Sequence, residues 1–112
     1  MKIVSPLEAP ENDNPHGVSA RPLHSTEHTQ VSMITLEPGQ ALKLHSTPVD
    51  AFFYILEGSG TVEIGDERES VTKDMLIDSP AKVPHRLLND GTETFRFLVV
   101  KTPRQSDPAR ML

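Results

Sequence analysis

The sequence predicts an all-β domain, on three observations. Nowhere does an apolar pattern recur at i, i+3, i+4 and i+7 for three turns, so no long amphipathic helix is expected. Ten prolines and six glycines are spread along the chain as punctuation. Between them, short runs rich in Val, Ile, Thr and Phe follow one another at roughly the 8 to 12 residue spacing of a sandwich or barrel. At 112 residues the chain has the size of one domain with one core.

The elements follow in order. Ser5 to Gly17 (SPLEAPENDNPHG) holds three prolines among Asn, Asp and Glu, so residues 1–17 are expected as an N-terminal arm and the barrel body as residues 18–102. Gln30 to Leu36 (QVSMITL) reads as a strand closed by Glu37-Pro38-Gly39, with proline at the second turn position and glycine where positive φ is needed. Further strands are expected at Ala41 to Leu44, Ala51 to Leu56, Thr61 to Ile64, Arg68 to Val71, Met75 to Ile77, Val83 to Leu88 and Thr94 to Lys101. Gly58-Ser59-Gly60, Gly65-Asp66 and Asn89-Asp90-Gly91 are the turns between them. About nine strands in meander order would fill the body. Residues 103–112, with Pro103 and Pro108 and little apolar content, are expected as a C-terminal tail outside the core.

One strand is apolar on both faces. Alternation puts Phe53 and Ile55 on one side and Phe52, Tyr54 and Leu56 on the other. Leu98 and Val100, opposite Phe95, Phe97 and Val99, repeat the pattern. An outer face of this kind needs a cover, and a homodimer is the expected one.

Composition narrows the partners. A net charge of −5 with both signs interspersed argues against nucleic acid and anionic membranes, which leaves a small molecule or a protein. There is no cysteine, so disulfides, zinc-thiolate sites and thiol nucleophiles are excluded. The N-terminal MKIVSPLEAP is too short and polar for a signal-peptide core, no window approaches a membrane span, and a cytoplasmic location is the expectation.

Two motifs carry the chemistry. Gly39, His45 six residues on, and Leu56-Glu57-Gly58 form the first; Pro80-Ala81-Lys82-Val83-Pro84-His85, with Asn89 four residues later, forms the second. Together they resemble the two motifs of the cupin superfamily, over about Gln30 to Val100. The resemblance implies a small double-stranded β-helix, or jelly-roll, barrel. In metal-binding members the first motif supplies two histidines and a glutamate and the second one histidine. Carried over by position, those places fall on His45, Thr47, Ala51 and His85.

Half of that ligand set is missing. Alanine has no donor, and a neutral hydroxyl is a poor ligand for ions that prefer imidazole and carboxylate. Asp50 is the one nearby carboxylate that could replace it, and it would need a bulge to turn inward. Halving the roughly 10 to 16 kcal/mol of a four-ligand zinc site leaves about 5 to 8 kcal/mol. That corresponds to a dissociation constant between about 100 μM and about 1 μM, so any Zn, Fe, Mn or Ni would be weakly held at His45 and His85. The expectation is a small-molecule-binding barrel with a degenerate metal site, its ligand touching His45, Thr47, Phe53, Ile55 and His85. A metal-dependent enzyme of the dioxygenase or isomerase type using His45 and His85 is the alternative, and a dimeric interaction protein with an empty barrel is a third.

The other polar residues read more plainly. His24 and His28 stand four apart, a metal spacing only on a helix, and strand or loop is expected there. His16 belongs to the arm and is expected in solvent. Tyr54 and Arg86 take outward parity, and Gly58-Ser59-Gly60 is followed by a strand, so it is no phosphate loop.

Overall fold

The computed structural model describes all 112 residues and is almost entirely β. A short 3-10 turn, Pro6–Glu8, precedes ten strands: β1 Ser19–Ser25, β2 Gln30–Leu36, β3 His45–Ser46, β4 Asp50–Glu57, β5 Ser59–Ile64, β6 Glu67–Thr72, β7 Leu76–Ser79, β8 His85–Leu88, β9 Phe95–Thr102 and β10 Arg110–Met111. They form two five-stranded sheets, ordered β1-β2-β9-β4-β7 and β10-β3-β8-β5-β6, with every pairing antiparallel. The chain crosses between sheets rather than running as a meander, which is how two facing sheets share one core. No helix is long and apolar enough to cross a membrane.

The core lies between the sheets. Leu36, Ile55, Leu87, Phe95 and Phe97 are fully buried, with Phe53 and Val62 beside them. Inward parity along β9 runs Phe95, Phe97, Val99, Lys101, and the last of these brings a half-buried lysine to one end of the barrel.

Turn chemistry fixes the strand ends. The Glu37-Pro38-Gly39 turn closes with the Gln40 amide donating to the Glu37 carbonyl at 2.9 Å, and Gly39 has φ +88°. In Gly58-Ser59-Gly60 the two glycines serve different needs. Gly58 has φ +76°, and a Cβ there would lie 2.1 Å from the Thr94 carbonyl oxygen; a Cβ on Gly60 would lie 2.4 Å from the Phe95 ring. Asn89 donates to the Leu36 and Glu93 carbonyls at 2.8 and 2.7 Å and accepts the Gly91 amide at 3.0 Å, tying three segments at the opposite end from Lys101.

Three differences from the expected elements matter for the site. Residues 41–44 are not a strand: they touch β8 through the Ala41–Leu88 bridge and the Leu42 amide, and the ladder proper begins only at His45. Ser19–Ser25, where the sequence leaves strand and loop open around His24, pairs with β2 as an edge strand. The tail does not hang free, because β10 pairs with β3 and the Leu112 amide donates to the Leu44 carbonyl at 3.1 Å.

Candidate functional site

His45 and His85 meet because the strands pair them. They stand directly opposite each other in the β3–β8 ladder, both on the inward side, 7% and 2% exposed. Their Nε2 atoms lie 3.2 Å apart. On either side the chain of contacts continues: His45 Nδ1 lies 2.8 Å from the Lys43 carbonyl, and His85 Nδ1 lies 2.6 Å from Ser79 Oγ. Ser79 sits on β7 in the other sheet, so that last bond crosses the barrel from sheet to sheet.

The partners dictate where the protons are. A carbonyl can only accept, so His45 carries its proton on Nδ1 and offers a bare Nε2. His85 must then donate from Nε2, which leaves its Nδ1 to accept from the Ser79 hydroxyl. Serine to His85 to His45 to carbonyl, each bond has one donor and one acceptor, and both rings are neutral. The electrostatics agree. Burial first, then the neighbouring His45, Lys101 and His16, lower the His85 pKa from 6.5 to about 4. His45 is lowered too, by burial against the opposing pull of the Lys43 carbonyl.

A third imidazole joins them from the arm. The His16 ring lies 4.6 Å from that of His45, centre to centre, and its Nδ1 accepts the Lys43 amide at 2.9 Å. One residue, Lys43, therefore holds His16 by its N–H and His45 by its C=O. Burial, His45, Lys43 and Lys101 in that order bring the His16 pKa to about 4. His16 was expected in solvent. What the sequence could not show is that residues 12–16 fold back over the barrel mouth, anchored by the Asn12 amide on the Ala20 carbonyl at 2.9 Å.

These rings line a cavity of about 350 Å³ between the sheets. Phe53, Val99, Ile34 and Leu42 form its apolar wall, and Gln30, Ser32 and Lys101 its polar end. The tail closes one side with Gln105, Pro108, Ala109 and Met111. Gln105 Oε1 accepts from Lys101 Nζ at 2.7 Å, and burial lowers the lysine pKa.

The expected residues divide. His45, His85 and Phe53 are on the cavity wall, and so is Ala51, the position that lacks a carboxylate. Thr47 is not: buried at 3% exposure, it donates its hydroxyl to the Val49 carbonyl at 3.0 Å. Ile55 shares the parity of Phe53 but lies two residues deeper, fully buried in the core and off the wall. Asp50 is exposed, as regular parity requires, and accepts the Ala81 amide at 2.8 Å. The one bulge in β4 falls between Ile55 and Glu57, too far along to turn it inward. Besides His16, which the sequence places in solvent, the site includes Lys101 and Ser79, which sequence reasoning does not single out; for Lys101 the signal is present in the alternation Phe95, Phe97, Val99, Lys101. His24 and His28 are on the surface, Tyr54 donates to Asp74, and Arg86 points outward to Glu63.

For a resident divalent ion this donor set falls short. Two imidazoles on one tetrahedral ion at 2.0 to 2.1 Å would place their nitrogens about 3.3 Å apart, and the 3.2 Å between the two Nε2 atoms is close to that. Yet His85 spends its Nε2 proton on His45, the Thr47 hydroxyl is engaged, and Ala51 has nothing to offer. No group of three or more His, Cys, Asp or Glu side chains is arranged to hold a metal.

Comparison with known proteins agrees with this architecture. A family model described as a cupin domain matches residues 32–101. A solved protein of Thermus thermophilus is 30% identical with a TM-score of 0.80, covering 93% of this chain and 99% of its own. The polyketide cyclase RemF of Streptomyces resistomycificus superposes with a TM-score of 0.86 at 22% identity, covering 100% of this chain and 85% of its own. A predicted oxalate decarboxylase of Thermotoga maritima gives 0.81 at 20% identity, covering 92% and 100%. No curated protein matches the sequence.

Proposed function

The chain belongs to the cupin family, and from that premise we propose that it binds a small organic molecule inside the barrel, without depending on a resident metal. One observation carries this reading: the two motif histidines bond to each other and to protein groups at every ring nitrogen, on the wall of a cavity of about 350 Å³. That volume, with a mostly apolar lining and a few convergent polar groups, suits a small ligand. His45, His85 and Phe53 would contact it, with His16 and Lys101 added to the residues first expected. A metal-dependent enzyme of the dioxygenase or isomerase type is the second reading, favoured by the 3.2 Å spacing of the Nε2 atoms alone.

Elemental analysis and a thermal-shift screen separate the two. Purified without a metal-affinity tag, the protein is expected to hold less than about one-tenth of an equivalent of metal, and some metabolite is expected to raise its melting temperature. A ligand present at 100 times its dissociation constant adds about 2.7 kcal/mol. Near-stoichiometric metal that disappears in His45→Ala and His85→Ala would replace this reading with the enzymatic one.

We also propose a homodimer through the outer face of the β1-β2-β9-β4-β7 sheet. Phe52, Tyr54, Leu98, Val100 and Val31 are cross-strand neighbours there, half-buried within one chain, and support an apolar contact. Light scattering is expected to give twice the 12.4 kDa of one chain; a monomer at micromolar concentration would contradict it.

A further inference from the structure

The cavity's charge is segregated from that of the rest of the molecule. The chain carries 16 acidic residues against 11 Lys and Arg, yet no Asp or Glu lines the cavity, whose one charged group is Lys101. That lysine makes no ion pair within the protein; its nearest partner is the neutral amide oxygen of Gln105. A half-buried ammonium without a counter-charge is costly, and natural structures usually supply the missing partner.

Other donors line the same cavity. Since His16 Nδ1 accepts from Lys43, the ring's proton sits on Nε2, and that N–H has no protein acceptor. No fully buried side-chain nitrogen or oxygen lacks a partner, so this N–H must open onto accessible space. Gln30 uses its Oε1 to accept the Gln105 amide, leaving its NH2 to donate, and the Ser32 hydroxyl lies on the same wall. The residues that carry an ammonium, an imidazole N–H, an amide NH2 and a hydroxyl thus line one cavity with no acid among them, together with apolar Phe53 and Val99.

We propose that the ligand is a monocarboxylate with a compact apolar body, its carboxylate bound by Lys101 and His16 and its body resting on Phe53 and Val99. This deepens the small-molecule reading above and rests on it. A single ammonium matches a single negative charge. A phosphate dianion would carry one uncompensated charge into a half-apolar space.

Calorimetry at pH 7.5 with matched probes tests it: benzoate, phenylacetate and 3-phenylpropionate, each against its primary amide, with benzylamine as the cation. At least one acid is expected to bind ten times or more tighter than its amide, and benzylamine not at all. Lys101→Met is expected to cut that acid's affinity at least tenfold while leaving the amide within about twofold, and Lys101→Arg to keep most of it. His16→Phe, outside the strand core, is expected to cost the acid at least threefold and serves if the Lys101 variants fold poorly. Amides binding as well as acids, or acid affinity indifferent to both variants, would overturn the anion while leaving the cavity reading in place. No binding by any probe would overturn both.

Discussion

Truncating Phe53 to alanine is expected to destabilise the barrel by about 3 to 5 kcal/mol, the range for removing a buried phenyl ring. Phe53 is 1% exposed and stands where core and cavity meet. Its ring lies edge-on to His85 at 5.4 Å and to Phe97 at 6.1 Å between centres. The expected loss is at least about a fifth of the roughly 5 to 15 kcal/mol that stabilises an ordinary domain, and it should appear in urea as a lower midpoint with an unchanged slope. Removing the ring would also merge its volume with the cavity, so apolar probes larger than the wild type accepts should stabilise the variant. A loss below about 1 kcal/mol would mean that the ring is not wedged between the two sheets.

Acid is expected to have nearly as large an effect, and earlier than carboxylates alone would produce it. His85 and His16 have folded-state pKa values of about 4 against 6.5 unfolded, and His45 is lowered as well. Between pH 6.5 and about 4 the unfolded chain therefore takes up protons that the folded chain refuses. Stability is full above 6.5 and falls as pH drops through that window. For His85, almost wholly buried, the move from 6.5 to about 4 corresponds to about 3 kcal/mol. His16 adds in the same direction, and less, because it is partly exposed. The structural event is specific. A proton on His45 Nε2 turns the acceptor of the His85 N–H into a second donor, and the bond between the rings is lost. Glu63, held low by Arg86 and Arg68 against the opposing effect of burial, gives way only below 4.5 and so does not obscure this range. Urea midpoints from pH 7.5 to 4.5 are expected to fall steadily, and His85→Phe to flatten the slope by about one proton. A midpoint unchanged between pH 6.5 and 5 would contradict the buried, neutral pair His45 and His85.

The fold was legible because the signals that define it are local. Apolar alternation and glycine-proline punctuation placed β2, β4, β5, β6, β7, β8 and β9 within a few residues. The two motifs brought His45 and His85 together, as their places in the β3–β8 ladder require. What escaped was whatever depends on chain ends returning. A proline-rich arm and a proline-rich tail have no periodicity to read, yet they deliver His16, Gln105 and Met111 to the barrel mouth. Thr47 and Ile55 lie off the wall that their parity points to, because parity says which way a side chain points, not how deep it lies or whether a local carbonyl captures its hydroxyl. Ser79 gave no signal, since its partner is in the opposite sheet. For Lys101 the signal was there unused: it is the fourth member of the inward series Phe95, Phe97, Val99, Lys101, and a charged residue at the end of an apolar series marks the mouth of a cavity rather than its core.

Nitrogen NMR of the histidine rings at pH 7.5 tests the arrangement most directly, because the two motif histidines are required to be opposite tautomers. His45 is expected to carry its proton on Nδ1 and His85 on Nε2, with magnetisation passing between the two Nε2 atoms across their hydrogen bond. Both rings protonated on Nδ1, with both Nε2 atoms bare and turned to a shared ion, would contradict it.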